Sequence, residues 1–225
     1  MATFDLAYMH PGTVTTKFAE SLTETAIAYP QTTFIPISGK ALVRNKNFAT
    51  KNWYHNSKND WLLWVDQDMG WEPNDLAQLF ATADEKGPSI VSALCYGWMD
   101  GNMYPSFFVD RDENNLLLAV TGQHLGFPDD EAFEVPGTGG GFMLIHREIL
   151  GKMLQEPHIP GYAFFFAEEA ADGRSQGYSQ YLCKLAADLG YAIWIEPRCE
   201  AKHYEEIAIT TEMYKRWWGK DNESS

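Results

Sequence analysis

The sequence predicts an α/β fold: a mostly parallel sheet flanked by helices, with a small antiparallel hairpin region. Three observations carry this. Strand-length apolar runs alternate with helix-period stretches through the first 96 residues, in the order β-α-β-α-β-α-β. One of those runs, Trp61-Leu62-Leu63-Trp64-Val65, is apolar without a break, as in a strand buried on both faces. Near the other end, a helix-period stretch (Tyr178, Tyr181, Leu182, Leu185, Leu189) passes through Gly190 into a further apolar run, Tyr191 to Ile195. At 225 residues the chain suits one domain of this class, or one with an appendage.

The elements follow in order. Phe4 to Met9 reads as a strand that ends at the turn His10-Pro11-Gly12-Thr13. Val14, Phe18, Leu22 and Ala26 recur at fourfold spacing and predict a helix whose apolar stripe runs to about residue 28, before Pro30. Thr33 to Ile37 reads as a strand at a sheet edge, because Pro36 cannot donate to a ladder on both sides. A helix with Leu42, Asn45, Phe48, Ala49 and Trp53 follows, with Lys40 and Arg44 four residues apart on one face. That basic pair fits either a phosphate contact or a solvated face. Glu72-Pro73-Asn74-Asp75 is a helix start with proline in the first turn and acids that favour the dipole, and Gly87-Pro88 ends that helix. Ser89 to Tyr96 is another buried strand.

From Gly97 to Pro136 the pattern loosens, with a hairpin expected between Pro105–Val109 and Leu116–Val120. Gly137-Thr138-Gly139-Gly140-Gly141 then runs straight into the apolar stretch Phe142 to Ile145. These glycines permit either close backbone approach to a ligand or tight packing. Residues 157–176 read as a long loop rich in aromatics (Tyr162, Phe164, Phe165, Phe166) and acids, a candidate lid or a piece of core. A short helix with Met213, Trp217 and Trp218 is expected near the C-terminus.

Composition sets limits on function. The chain is 45% hydrophobic and 21% charged, with a net charge of −14, so it repels nucleic acid and anionic membrane in bulk. An anionic substrate would need a local cation. Cys95, Cys183 and Cys199 are far apart and form no zinc or redox pair, which fits buried thiols in a reducing cytoplasm. No leader-like segment or bilayer-length apolar run is visible.

The chemistry concentrates after Val65. Asp66 and Asp68 fall at the carboxyl end of a buried strand, where open α/β sheets bind ligands. If the chain stays extended there, both carboxylates project to one side. Carboxylates so close repel each other, and a hard divalent cation shared with substrate phosphates relieves the conflict. A solvated acidic turn would look the same on spacing alone.

Taken in order, these blocks resemble the GT-A glycosyltransferases, especially the family-2-like enzymes and the small members encoded by tailed bacteriophages. Arg44-Asn45 on a helix, followed by Leu62-Leu63-Trp64-Val65-Asp66-Gln67-Asp68-Met69, is similar to that family's strand plus D-x-D. Gly137 to Arg147 is similar to its Gly-rich strand before the acceptor region. Leu182-Cys183-Lys184, running through Tyr191 to Ile195 and on to His203, is similar to its passage from a catalytic helix to a metal-binding histidine. His10-Pro11-Gly12 resembles the opening of the phage members, and the likeness spans residues 3 to 204.

The resemblance implies a single GT-A domain over 1–225, with a nucleotide-sugar half (1–96), an acceptor and metal half (97–204) and a terminal helix and tail (205–225). It implies transfer of a sugar from a nucleotide diphosphate sugar to a protein or glycan acceptor, in the cytoplasm (the host's, for a phage protein). Asp66, Asp68 and His203 would hold Mn2+ or Mg2+, with Asp66 facing the metal or the donor's ribose. His10, Pro11, Gly12, Arg44, Gln67 and Gly140 would line the donor. One departure stands out. Where many members place Glu-Asp at the start of the catalytic helix, this chain has Tyr178-Ser179, and the nearest acids are Glu168, Glu169 and Asp172. Either one of these is the base, or the base is absent. A nucleotidyltransferase and a non-catalytic nucleotide-sugar or carbohydrate binder are the competing expectations.

Overall fold

The computed structural model describes residues 3–39, 41–99, 102–113, 115–120, 126–159, 161–169, 175–205 and 210–211. The expected C-terminal helix with Met213, Trp217 and Trp218, together with Asp172 and Lys40, lies outside them. The first half runs β1 (Phe4–His10), α1 (Thr16–Ala28), β2 (Thr33–Ser38), α2 (Leu42–Asn56), β3 (Trp61–Asp66), β4 (Met69–Gly70), α3 (Pro73–Lys86) and β5 (Ile90–Ala93). Four short strands follow: β6 (Tyr96–Met99), β7 (Asn102–Pro105), β8 (Phe107–Arg111) and β9 (Leu117–Ala119). Then come β10 (Phe133–Glu134), β11 (Gly137–Thr138), β12 (Phe142–His146) and α4 (Arg147–Met153). The chain continues through β13 (Glu168–Glu169), β14 (Ser175–Gln176), α5 (Tyr178–Asp188), β15 (Ile193–Glu196) and β16 (Lys202–His203).

The main sheet has seven strands in the order β10-β15-β5-β12-β3-β1-β2. Five of them (β1, β2, β3, β5 and β15) run in one direction, and β12 and β10 oppose them. The mostly parallel α/β expectation therefore holds. The antiparallel β12 lies between β3 and β5, where Ser92 Oγ donates to the Phe142 carbonyl at 2.8 Å. Pro36 sits on β2 at the sheet edge, as its missing N–H requires. The expected hairpin forms as β8 against β9.

β3 runs through the centre and is buried along Trp61 to Val65. Its alternate side chains feed two cores. Leu62 and Trp64 pack with Ala49 and Trp53 of α2, Ile149 of α4 and Leu182 of α5. Leu63 and Val65 pack with Phe18 of α1 and with Leu76, Leu79 and Phe80 of α3. The start of α3 is fixed as its sequence suggests: Asp75 accepts from the Glu72 backbone at 2.7 Å, and its other oxygen accepts from the Glu200 N–H at 3.1 Å. That second bond ties the helix to the chain leading into β16.

Two faces differ from the sequence reading. α1 buries Phe18, Ser21 and Thr25 rather than a Val14–Phe18–Leu22–Ala26 stripe. The reason is polar. Ser21 Oγ donates to the Trp71 carbonyl at 2.7 Å and accepts from its N–H at 2.9 Å, and Thr25 Oγ1 accepts from the Trp71 indole at 2.9 Å. α2 buries Lys46, Ala49, Thr50 and Trp53, while Phe48 is 63% exposed. Within the aromatic loop Phe164 and Phe165 are core, whereas Phe166 is exposed. Phe164 and Phe165 are fully enclosed, and the Asn47 amide clamps the Phe165 backbone through bonds of 2.7 and 2.8 Å. The three cysteines are free and buried. Among the described residues no helix is long and apolar enough to cross a membrane.

Candidate functional site

β3 ends at Asp66, and the chain then turns at Gln67-Asp68 instead of staying extended. The turn is held from three sides. Thr15, after the first strand, donates its N–H to the Gln67 carbonyl at 3.3 Å. The Asp66 N–H donates to the Gly141 carbonyl at 2.9 Å, and the Tyr204 N–H donates to the Asp68 carbonyl at 2.9 Å. β16 pairs with β4, setting His203 opposite Met69. The three blocks that carried the family resemblance thus meet at one turn, at the carboxyl end of the central strand.

A cleft of about 280 Å³ opens there, lined by Met9, His10, Pro11, Gly39, Leu42, Asp66, Gln67, Asp68 and Tyr178. A larger cleft of about 760 Å³ lies between β2 and α2, away from these carboxylates. His10, Pro11, Gln67 and both aspartates therefore line one cleft. Gly12 is exposed in the adjoining turn, and Arg44 is exposed on α2; neither is among the lining residues. At Gly140 a Cβ would come within 3.1 Å of the Ser179 Cβ and 3.4 Å of the Tyr178 ring, so its missing side chain makes room for the start of α5.

The two aspartates have different partners. His203 Nε2 lies 3.4 Å from Asp68 Oδ2, and its Nδ1 lies 3.1 Å from Glu205. The Asp68 hydrogen bond holds the His203 imidazole above its ordinary pKa, against the opposing effect of burial. Burial pushes the Asp68 carboxyl up, but its bonds and His203 together outweigh that and hold it below its usual range. Asp68 Oδ1 and Gln67 Oε1 are buried with no hydrogen-bond partner among the described residues. Such acceptors carry a desolvation cost that a bound cation or donor group would relieve.

Asp66 faces a cation instead. Lys46 Nζ is 3.5 Å from its Oδ1, with the lysine side chain 1% exposed and the aspartate 36%. The ammonium lies 4.9 Å from the Trp64 ring centroid, 4.7 Å from that of Tyr178 and 5.8 Å from that of Phe165. Lys46 shares a helical face with Ala49, Thr50 and Trp53 at spacings of three, four and seven, the one sequence signal of its burial. A buried cation stripped of its counter-ion is strongly destabilising. Asp66→Asn is therefore expected to lower stability by about 2–3 kcal/mol, toward the low side because the carboxylate is partly solvated. Adding Lys46→Met should restore it. Equal melting temperatures for wild type and Asp66→Asn would sink this account.

Glu168 and Glu169 form β13, whose backbone pairs with β14 directly before α5. Tyr178, the first residue of α5, lines the cleft, and burial first, then Asp66 and Asp68, push its hydroxyl pKa upward. Among the described residues no three His, Cys, Asp or Glu side chains are grouped to hold a metal ion by themselves.

No family model and no curated protein matches this sequence. Solved structures do match the fold. A197 from STIV is 16% identical with a TM-score of 0.57, covering 92% of this chain and 87% of that one. GalNAc-T7, solved with UDP, GalNAc and Mn2+, is 13% identical with a TM-score of 0.59; the match covers 92% of this chain but 44% of that one. The inositol-1-phosphate CTP transferase from T. maritima is 9% identical with a TM-score of 0.50, covering 96% and 94%. The chain has a GT-A-like fold.

Proposed function

We propose that this protein is a metal-dependent glycosyltransferase that moves a sugar from a nucleotide diphosphate sugar to a protein or glycan acceptor. The observation that carries the reading is Asp68: its Oδ1 is buried and unpartnered among the described residues, and its other oxygen sits beside His203, at the carboxyl end of the central strand of a GT-A-like sheet. Asp68 and His203 are two hard-metal ligands, and a donor's diphosphate brings oxygens of its own, so two protein ligands are enough to anchor Mn2+ or Mg2+. The cation would supply Lewis-acid neutralisation of the departing diphosphate. His10, Pro11 and Gln67 would border the nucleotide, and Asp66 its hydroxyls. Gly12 lies in the turn beside this cleft and Gly140 makes room for Tyr178 in its wall, whereas Arg44 would have to reach the donor from the exposed face of α2. Glu168, Glu169 and Asp172 are the candidate bases for the acceptor hydroxyl.

Two other readings each have one observation in favour. The likeness to the T. maritima transferase favours nucleotidyl transfer. Tyr178-Ser179 at the start of α5, in place of an acid pair, favours a binder without turnover. Incubation with Mn2+ and either a panel of nucleotide sugars and candidate acceptors or, in parallel, nucleoside triphosphates and sugar phosphates separates them. Released nucleoside diphosphate is the expected result. Released pyrophosphate from a nucleoside triphosphate would identify the first rival, and donor binding without any release the second.

A further inference from the structure

Lys46 is a buried titratable group beside the cleft that the proposed chemistry leaves without a task. Enclosing an ammonium costs several kcal/mol even after relaxation. A hydrophobic side chain of similar length would fill the same space between Trp64, Phe165 and Tyr178 at no such cost. Packing therefore does not explain the residue. Its ammonium is aimed at Asp66 Oδ1, and the cleft residues given above include no Lys or Arg. Asp66 and Asp68 sit two residues apart on one turn but have separate partners, Lys46 beneath Asp66 and His203 of β16 beside Asp68.

We propose that Lys46 is a positioning residue that supplies the counter-charge of Asp66 and keeps that carboxylate out of metal coordination, so that the site takes one divalent cation through Asp68 and His203. Asp66 is then left as a fixed acceptor for hydroxyl groups. This rests on the metal-site reading above. The electrostatics give it a direction. Burial lowers the Lys46 pKa and Asp66 opposes that shift; a positive charge held beside one of two carboxylates repels a divalent ion and competes for the oxygen that would bind it. Removing that charge frees Asp66 to join the coordination, and the empty protein should then bind a bare cation more tightly.

The test titrates Mn2+ alone, without nucleotide, into wild type, Lys46→Met, Lys46→Met/Asp66→Asn and Asp68→Ala, read by calorimetry and by the Mn2+ electron paramagnetic resonance signal. Lys46→Met is expected to bind Mn2+ about tenfold more tightly than wild type while melting at or above the wild-type temperature, since it removes a buried charge. The double variant should lose that gain. Wild-type or weaker Mn2+ affinity in folded Lys46→Met overturns the proposal, and so does a gain that survives Asp66→Asn. Should Lys46→Met fail to fold, Lys46→Gln is judged by the same outcomes. Asp68→Ala reads the underlying metal site separately: unchanged Mn2+ binding in that variant would remove the Asp68–His203 anchor, while the Lys46 comparison would still report whether Asp66 is masked.

Discussion

Asp68→Ala is expected to abolish cation-dependent binding of the nucleotide diphosphate sugar, a loss of at least about a hundredfold or roughly 2.7 kcal/mol. Calorimetry with and without EDTA reads it directly. The stability of the variant should barely change at alkaline pH. Asp68 has one oxygen buried without a partner among the described residues, so truncation removes an unfavourable group together with a favourable one. What folding does lose is the ion pair with His203, and that loss depends on pH. The raised His203 pKa contributes stability at acid pH that fades as pH rises through it; the lowered Asp68 pKa contributes stability that is lost as pH falls through it. The pair therefore matters most at mildly acid pH, and at alkaline pH the variant reads binding with little folding effect. Equal donor affinity in EDTA would refute the metal site.

Glu169→Gln is expected to cut turnover by about a hundredfold to ten-thousandfold, the usual contribution of a general base, while donor binding stays intact. The backbone supports testing this residue and Glu168 first. β13 pairs with β14, and two residues beyond Gln176 the chain reaches Tyr178 in the cleft wall. Asp172→Asn completes the set. The measurement needs acceptor present, because the base acts on the acceptor's hydroxyl and not on the donor. Wild-type turnover in all three variants would exclude these acids and favour a retaining mechanism or a binder. Loss of donor binding along with turnover would make the residue part of the donor site instead.

The sequence by itself determined whatever depends on local pattern. The unbroken run Trp61 to Val65 fits a strand covered on both faces, and it lies inside the sheet with strands on either side. Glu72-Pro73-Asp75 and Gly87 set the ends of α3 through backbone chemistry a few residues long. Pro36 placed β2 at an edge. Asp66 and Asp68 were readable as a pair at a strand end, and the cleft forms around them.

Only the tertiary structure decided what depends on residues far apart in the chain. A stripe of Val14, Phe18, Leu22 and Ala26 looks like a buried face, yet α1 turns Ser21 and Thr25 inward because Trp71, about fifty residues away, offers them hydrogen bonds. Phe48 looks like core and is exposed, whereas Lys46 looks solvated and is enclosed, because Asp66 and three rings wait on that side of α2. Phe165 was open to either reading until Asn47, 118 positions earlier, clamped its backbone. The division of the acidic turn between Lys46 and His203 has the same origin. Periodicity reports which residues can share a face; the burial of a polar or charged group depends on whether a distant partner compensates its desolvation, and that partner is fixed by the packed sheet.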